Sequence, residues 1–168
     1  MKLLLNSRLL FLLIFISCFA LLGYAYYLQH VEYLDPCPLC IFQRIVFVVM
    51  GLIALVAAIH GPARTGAWVY TVLVGIAGAT GVGIAWRHLW LQGLPPDEVP
   101  ACGPGLEYMI DQFPLAETLK MVFTGSGSCA TIDWQFFGLS MPAWTLIWYL
   151  GLILIAIIAA LKARNKLA

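Results

Sequence analysis

The stretch PCPLCIFQRIVFVVMGLIALVAAI, Pro36 to Ile59, carries no charge after Arg44. A helix needs roughly 20 apolar residues to cross the core of a bilayer, and the segment from about Ile41 to Ile59 meets that need. Two cysteines stand at its entrance. Three further runs have the same character, at about 9–28, 67–86 and 142–161. The 168 residues are 62% hydrophobic and 10% charged, with a mean hydropathy of +0.94. An ordinary soluble domain is about half apolar and about a quarter charged. The expected fold is therefore all-α: one integral membrane domain over 1–168, built as a four-transmembrane-helix bundle. The first run follows Lys2 and Arg8 as a signal peptide would, but it is long for such a segment and lacks a clear small-residue cleavage site, so it reads as a retained span.

Four spans put both termini on one side of the membrane. That side carries Lys2, Arg8, Arg64, Lys162, Arg164 and Lys166, six of the nine basic residues. The positive-inside bias places it in the cytoplasm. All eight acidic residues, from Glu32 to Asp133, fall on the other side. Two outer loops result, a short one at about 29–40 and a long one at about 87–141. In the long loop Leu115, Leu119, Val122 and Phe123 recur at helical spacing, which predicts a short amphipathic helix on the membrane surface. A net charge of +1 with scattered basic residues gives no footprint for nucleic acid.

Four of the five cysteines lie in these loops: Cys37 and Cys40 in the first, Cys102 and Cys129 in the second. Cys18 lies inside the first span, where a buried thiol serves as a small apolar side chain. A C-x-x-C closes too small a loop to restrict the unfolded chain much, so Cys37 and Cys40 read as a redox couple or half of a metal site. Pro36 and Pro38 suit the first turn of a helix. The helix end favours a thiolate there. Cys37, Cys40 and Arg44 share one helix face, so the arginine can add its charge; alone, Arg44 would read as a snorkelling interface residue. Cys102 and Cys129 sit in glycine-bearing sequence, and they suit either a stabilising staple or a second exchangeable disulfide. A zinc site fits less well, because the second pair forms no knuckle and His30, His60 and His88 are dispersed. GIAGATGVG (75–83) matches no nucleotide motif; Gly75, Ala79 and Gly83 read as a close helix-packing face.

Taken together, the chain resembles the disulfide bond formation protein B (DsbB) family of bacterial inner-membrane thiol oxidases. The resemblance rests on the four spans, the C-x-x-C followed by Arg44, the cysteines of the long loop, and WQFFGLSMPAW (134–144) before the last span. It implies a quinone-dependent protein-thiol oxidoreductase with disulfides Cys37–Cys40 and Cys102–Cys129. A soluble periplasmic thioredoxin-fold dithiol oxidase (DsbA-like) would attack the second, Cys102 forming the mixed disulfide. Electrons would pass to Cys37 and Cys40, a transient Cys37–Cys129 bond being one route. Cys40 and Arg44 would face a quinone from the membrane pool, ubiquinone or menaquinone. His88 matches a histidine near the quinone and equally suits an ordinary interface residue. Gln43 falls where a related sequence has an acid and receives no role. No metal is expected. The alternatives are a related oxidase dedicated to one special substrate, a reductase like the vitamin K epoxide reductase family, whose C-x-x-C usually comes late in the chain, and a membrane scaffold or metal-binding protein with structural disulfides.

Overall fold

The computed structural model describes residues 6–100, 108, 111–125 and 127–164. Four long helices dominate it: α1 (Ser7–His30), α2 (Pro38–His60), α3 (Arg64–Gln92) and, last in the chain, α6 (Met141–Arg164). Each contains one of the apolar runs, and each is long and apolar enough to cross a membrane. The fold is thus an all-α, four-span membrane bundle. The helices form a ring in which α1 and α3 each touch both α2 and α6. Phe11, Ile14, Met50, Val74, Tyr149 and Leu152 fill its centre. Ile16, Ile59, Ile76 and Leu154 point outward, as side chains facing hydrocarbon rather than water can.

Short connections make α1, α2 and α3 run up, down and up. Gly61, at φ 57°, caps α2 in the left-handed conformation and returns its N–H to the Ala57 carbonyl, a route open to glycine at little steric cost. The glycines of α3 pack differently from the sequence expectation. An added Cβ on Gly75 or Gly83 would meet nothing within 4 Å. The face turned to the bundle instead carries Gly78 and Gly81, where a Cβ would come within 2.7 Å of Ile153 and 2.5 Å of Tyr149. The reason is phase: the four-residue stripe falls on the lipid side, and the bulky partners on α6 sit over the other two glycines. Tyr149 uses that space to stack on Phe47, ring centroids 4.3 Å apart, and to donate its hydroxyl to the Gln43 carbonyl at 2.8 Å.

The connection from α3 to α6 closes one end of the bundle. It contains α4 (Leu115–Thr124), the short α5 (Gly127–Ala130) and a two-stranded hairpin, β1 (Gln135–Phe136) and β2 (Leu139–Ser140). α4 buries Thr118 and Val122 and exposes Glu117 and Lys120. The hairpin pairs Gln135 with Ser140 and Phe136 with Leu139. Its two turn residues, Phe137 and Gly138, both have positive φ, the turn that matches strand twist. Trp144 donates its indole N–H to the Phe136 carbonyl at 3.0 Å, which ties the hairpin to α6. Sequence reading leaves WQFFGLSMPAW as a lead into the last span, because a phenylalanine in a left-handed turn position is not a recognised hairpin cue. Cys102 and its pairing with Cys129 lie outside the described residues.

Candidate functional site

The first turn of α2 organises the site. Pro38 begins the helix and Cys37 is its N-cap. The Cys37 sulfur accepts the Cys40 N–H at 3.3 Å, so one orphan donor of the helix end is satisfied by a thiol. Cys37 Sγ also lies 2.9 Å from Cys40 Sγ, as donor to acceptor. Hydrogen bonds to Cys129 and Cys40, with burial added, push the Cys37 thiol up from its ordinary value. At the helix mouth Cys37 thus faces three partners, with its sulfur placed as donor to Cys40 Sγ.

Two distant elements converge on Cys37. The last turns of α3 bring His88, whose Nε2 is 3.8 Å from Cys37 Sγ. α5 brings Cys129. The ligating atoms of Cys37, His88 and Cys129 all lie within 4.8 Å of one another, and all three residues are buried. α3 also holds the connection that carries Cys129: Arg87 donates to the Thr124 carbonyl at 2.9 Å and Gln92 to the Thr131 carbonyl at 3.5 Å. Between them Gly125, at φ 93°, passes Leu91 so closely that a Cβ would sit 2.6 Å from it. In sequence the three histidines look too dispersed for an obvious ligand set, yet the fold brings His88 beside Cys37 and Cys129. His88 is 51 positions from Cys37, and antiparallel packing of α3 on α2 erases that separation.

Gln43, to which sequence reading gives no role, proves central. It is 4% exposed, and both ends of its amide find a neighbour. Oε1 accepts from the Thr145 hydroxyl at 2.7 Å. Nε2 lies 3.3 Å from His88 Nδ1. In that amide orientation Nδ1 accepts, so the imidazole proton sits on Nε2 and faces the Cys37 sulfur. A buried amide in an apolar span is costly unless satisfied. Its place three residues after Cys40, on the same helix face, is the sequence feature that could have revealed it.

Two cavities meet at this point. The larger, about 390 Å³, is lined by Leu22, Phe47, Trp134, Phe136, Trp144 and Trp148, with Cys40, Gln43, Arg44 and Thr145 as polar groups. The smaller, about 60 Å³, lies on the loop side and is lined by Cys37, His88, Asp35, Ser128 and Asp133. Cys40 and Arg44 line both. Arg44 is held by Gln29 Oε1 and by the Ala25 carbonyl at 3.3 Å, and its guanidinium lies 5.4 Å from the Tyr26 ring centre. It is therefore held against α1 rather than reaching for solvent. His88 lines the small cavity and faces Cys37 and Gln43; it is not among the residues around the large one. Cys18 is buried in α1 away from both.

The four-span bundle with thiols at one helix mouth defines a multi-pass membrane protein of disulfide chemistry. The family described as "Disulfide bond formation protein DsbB" matches residues 7–159. Proteins named "Disulfide bond formation protein B" are similar over most of the chain. That of Hahella chejuensis is 51% identical over 147 residues, 88% of this chain and 89% of the relative. That of Methylococcus capsulatus is 52% identical over 147 residues, 88% and 90% of the two chains. That of Xanthomonas euvesicatoria is 48% identical over 157 residues, 93% and 91%. The chain belongs to the DsbB family, and it is a membrane oxidoreductase of disulfide bond formation.

Proposed function

We propose that the protein reoxidises a soluble periplasmic thioredoxin-fold dithiol oxidase and delivers the electrons to a membrane quinone. The observation that carries this reading is the shared wall: Cys40 and Arg44 border both the apolar cavity and the small polar one. The apolar cavity suits a quinone ring. Aromatic side chains offer stacking surfaces, and Arg44, Gln43 and Thr145 supply polar groups at the Cys40 end. A bound quinone would supply a two-electron, two-proton sink and leave as quinol.

The chain's own residues divide the remaining work. Cys102 and Cys129 form the disulfide that the soluble dithiol attacks, Cys102 taking the mixed disulfide. Cys129 is released beside Cys37, to which it is already close. Its thiolate attacks Cys37 of the Cys37–Cys40 disulfide, and Cys40 departs as thiolate toward the apolar cavity. Arg44 stabilises that negative charge, and it does so without reorganising, because Gln29 and Ala25 hold it. His88 keeps Cys37 oriented and can offer its Nε2 proton to the sulfur. Net, the partner's dithiol becomes a disulfide and the quinone becomes quinol. In this reading the termini are cytoplasmic, the closed end of the bundle faces the periplasm, and the membrane is the bacterial inner membrane.

The test is quinone reduction by the purified protein in detergent, followed by absorbance, with a reduced thioredoxin-fold dithiol protein as donor. Turnover in wild type and its loss in both Cys40→Ser and Cys102→Ser is expected. Loss in Cys40→Ser alone would reduce the long-loop pair to a staple, and no turnover with either quinone class would overturn the reading.

A further inference from the structure

The trio Cys37, His88 and Cys129 is built like a cation site that exists only when the cysteines are reduced. We propose that the reduced protein binds one thiophilic divalent cation, Zn²⁺, through Cys37 Sγ, Cys129 Sγ and His88 Nε2, and that the bound cation halts electron flow until it is removed. The proposal rests on the relay reading only for that second half.

Three features support it. The first is spacing. Zinc bonds of about 2.3 Å to sulfur and about 2.0 Å to nitrogen set tetrahedral ligands about 3.5–3.8 Å apart. Cys37 Sγ and His88 Nε2 are 3.8 Å apart, and the third atom lies within 4.8 Å of both. Small rotamer shifts close that set. The second is charge. Two thiolates, one neutral imidazole and one Zn²⁺ sum to zero, and a neutral complex avoids the large cost of an uncompensated ion in so buried a place. The binding step balances as Zn²⁺ plus two thiols giving the dithiolate complex and two protons. The third is the surroundings. The cavity of about 60 Å³ beside the trio carries Asp35 and Asp133 at its wall. It has room for a water as fourth ligand, and its carboxylates attract a cation. Among the described residues no fourth ligand joins the trio, and an open fourth position is the arrangement of a reversible site.

The support behind His88 also fits. Turning the Gln43 amide over brings its oxygen to His88 Nδ1, 3.3 Å away in the present orientation. The imidazole proton then sits on Nδ1 and the Nε2 lone pair faces the sulfurs. The Gln43 NH₂ group would donate to Thr145, whose hydroxyl already has the Pro142 carbonyl at 2.9 Å as an alternative acceptor. A metal-bound histidine whose second nitrogen donates to an amide or carboxylate oxygen is the usual second layer of such sites.

The experiment uses the full-length protein in detergent, fully reduced and freed of reductant, titrated with Zn²⁺ against a chromophoric chelator. One Zn²⁺ per reduced chain, two protons released per Zn²⁺, and no binding to the oxidised protein are expected. His88→Ala and Cys129→Ala should each weaken binding by at least about tenfold, while Cys18→Ala and Cys102→Ala leave it intact. Should His88→Ala fail to fold, His88→Cys keeps a ligand: zinc remains bound and the thiolate absorption of the Co²⁺-substituted protein rises. Binding that survives loss of both His88 and Cys129, or that disappears in Cys102→Ala, would overturn the assignment; so would binding to the oxidised protein or none at all. Quinone reduction that continues with the site loaded would overturn the blocking role. The zinc readout needs no quinone, so its failure and that of the oxidase reading are separable.

Discussion

Replacing Gln43 by leucine removes an amide that two neighbours depend on unequally. The Thr145 hydroxyl loses its 2.7 Å partner but keeps the Pro142 carbonyl at 2.9 Å. The Tyr149 hydroxyl is untouched, because it binds the backbone carbonyl of residue 43 rather than the side chain. His88 Nδ1 loses its amide partner at 3.3 Å in a residue 3% exposed. Leaving one buried polar atom unpaired costs about 1–3 kcal/mol, and that is the expected loss of stability. His88→Leu should cost a similar amount by leaving the Gln43 N–H groups unpaired. The double variant removes both ends of the bond, which can be nearly neutral, so its loss should fall short of the sum by about 1–3 kcal/mol. Denaturant unfolding in one detergent, read for all four proteins, measures this cycle. Additive losses would refute the coupling and with it the view that Gln43 sets the histidine.

Three further outcomes follow from the same packing. Gly81→Ala places a Cβ 2.5 Å from the Tyr149 ring, so overpacking should destabilise the bundle by about 1–3 kcal/mol, whereas Gly83→Ala, with nothing within 4 Å, should be neutral or slightly stabilising; thermal unfolding separates them. The raised Cys37 thiol stays protonated at pH values where an ordinary cysteine is partly thiolate, so in the reduced protein its alkylation should be slower than that of a free thiol. Removing the largest cause in Cys129→Ala should lower that pKa and speed alkylation between pH 7 and 9, measured by mass spectrometry of the Cys37 peptide; an unchanged rate would refute the cause. Arg44→Lys keeps the charge but replaces the two separate nitrogens that reach Gln29 and the Ala25 carbonyl with a single one. Quinone reduction should show a KM raised by about tenfold with little change in stability, and unchanged KM would free Arg44 from the site.

Hydrophobic run length decided the four helices, since a membrane offers few other ways to satisfy backbone polar groups. Periodicity alone could not phase α3: both glycine sets, Gly75 with Gly83 and Gly78 with Gly81, recur at spacings that suit close packing. Only the bulk of Tyr149 and Ile153 across the interface chooses between them. The hairpin at Gln135–Ser140 was illegible because its turn uses Phe137 in a conformation that asparagine or glycine normally signals.

The site divides along the same line. Cys37, Cys40 and Arg44 were readable as a unit because one helix turn links them, and local geometry follows from sequence spacing. His88, Cys129 and Gln43 join that unit only through packing: α3 lays His88 against Cys37, α5 folds Cys129 over it, and α6 holds Gln43 through Thr145. Which cavity each residue faces is likewise a property of the ring of helices. Composition and spacing determined that this chain is a membrane bundle with thiols at a helix mouth. Tertiary structure decided which imidazole and which second thiol meet Cys37 and where an apolar ligand has room, because these depend on distances between residues that the chain itself keeps far apart.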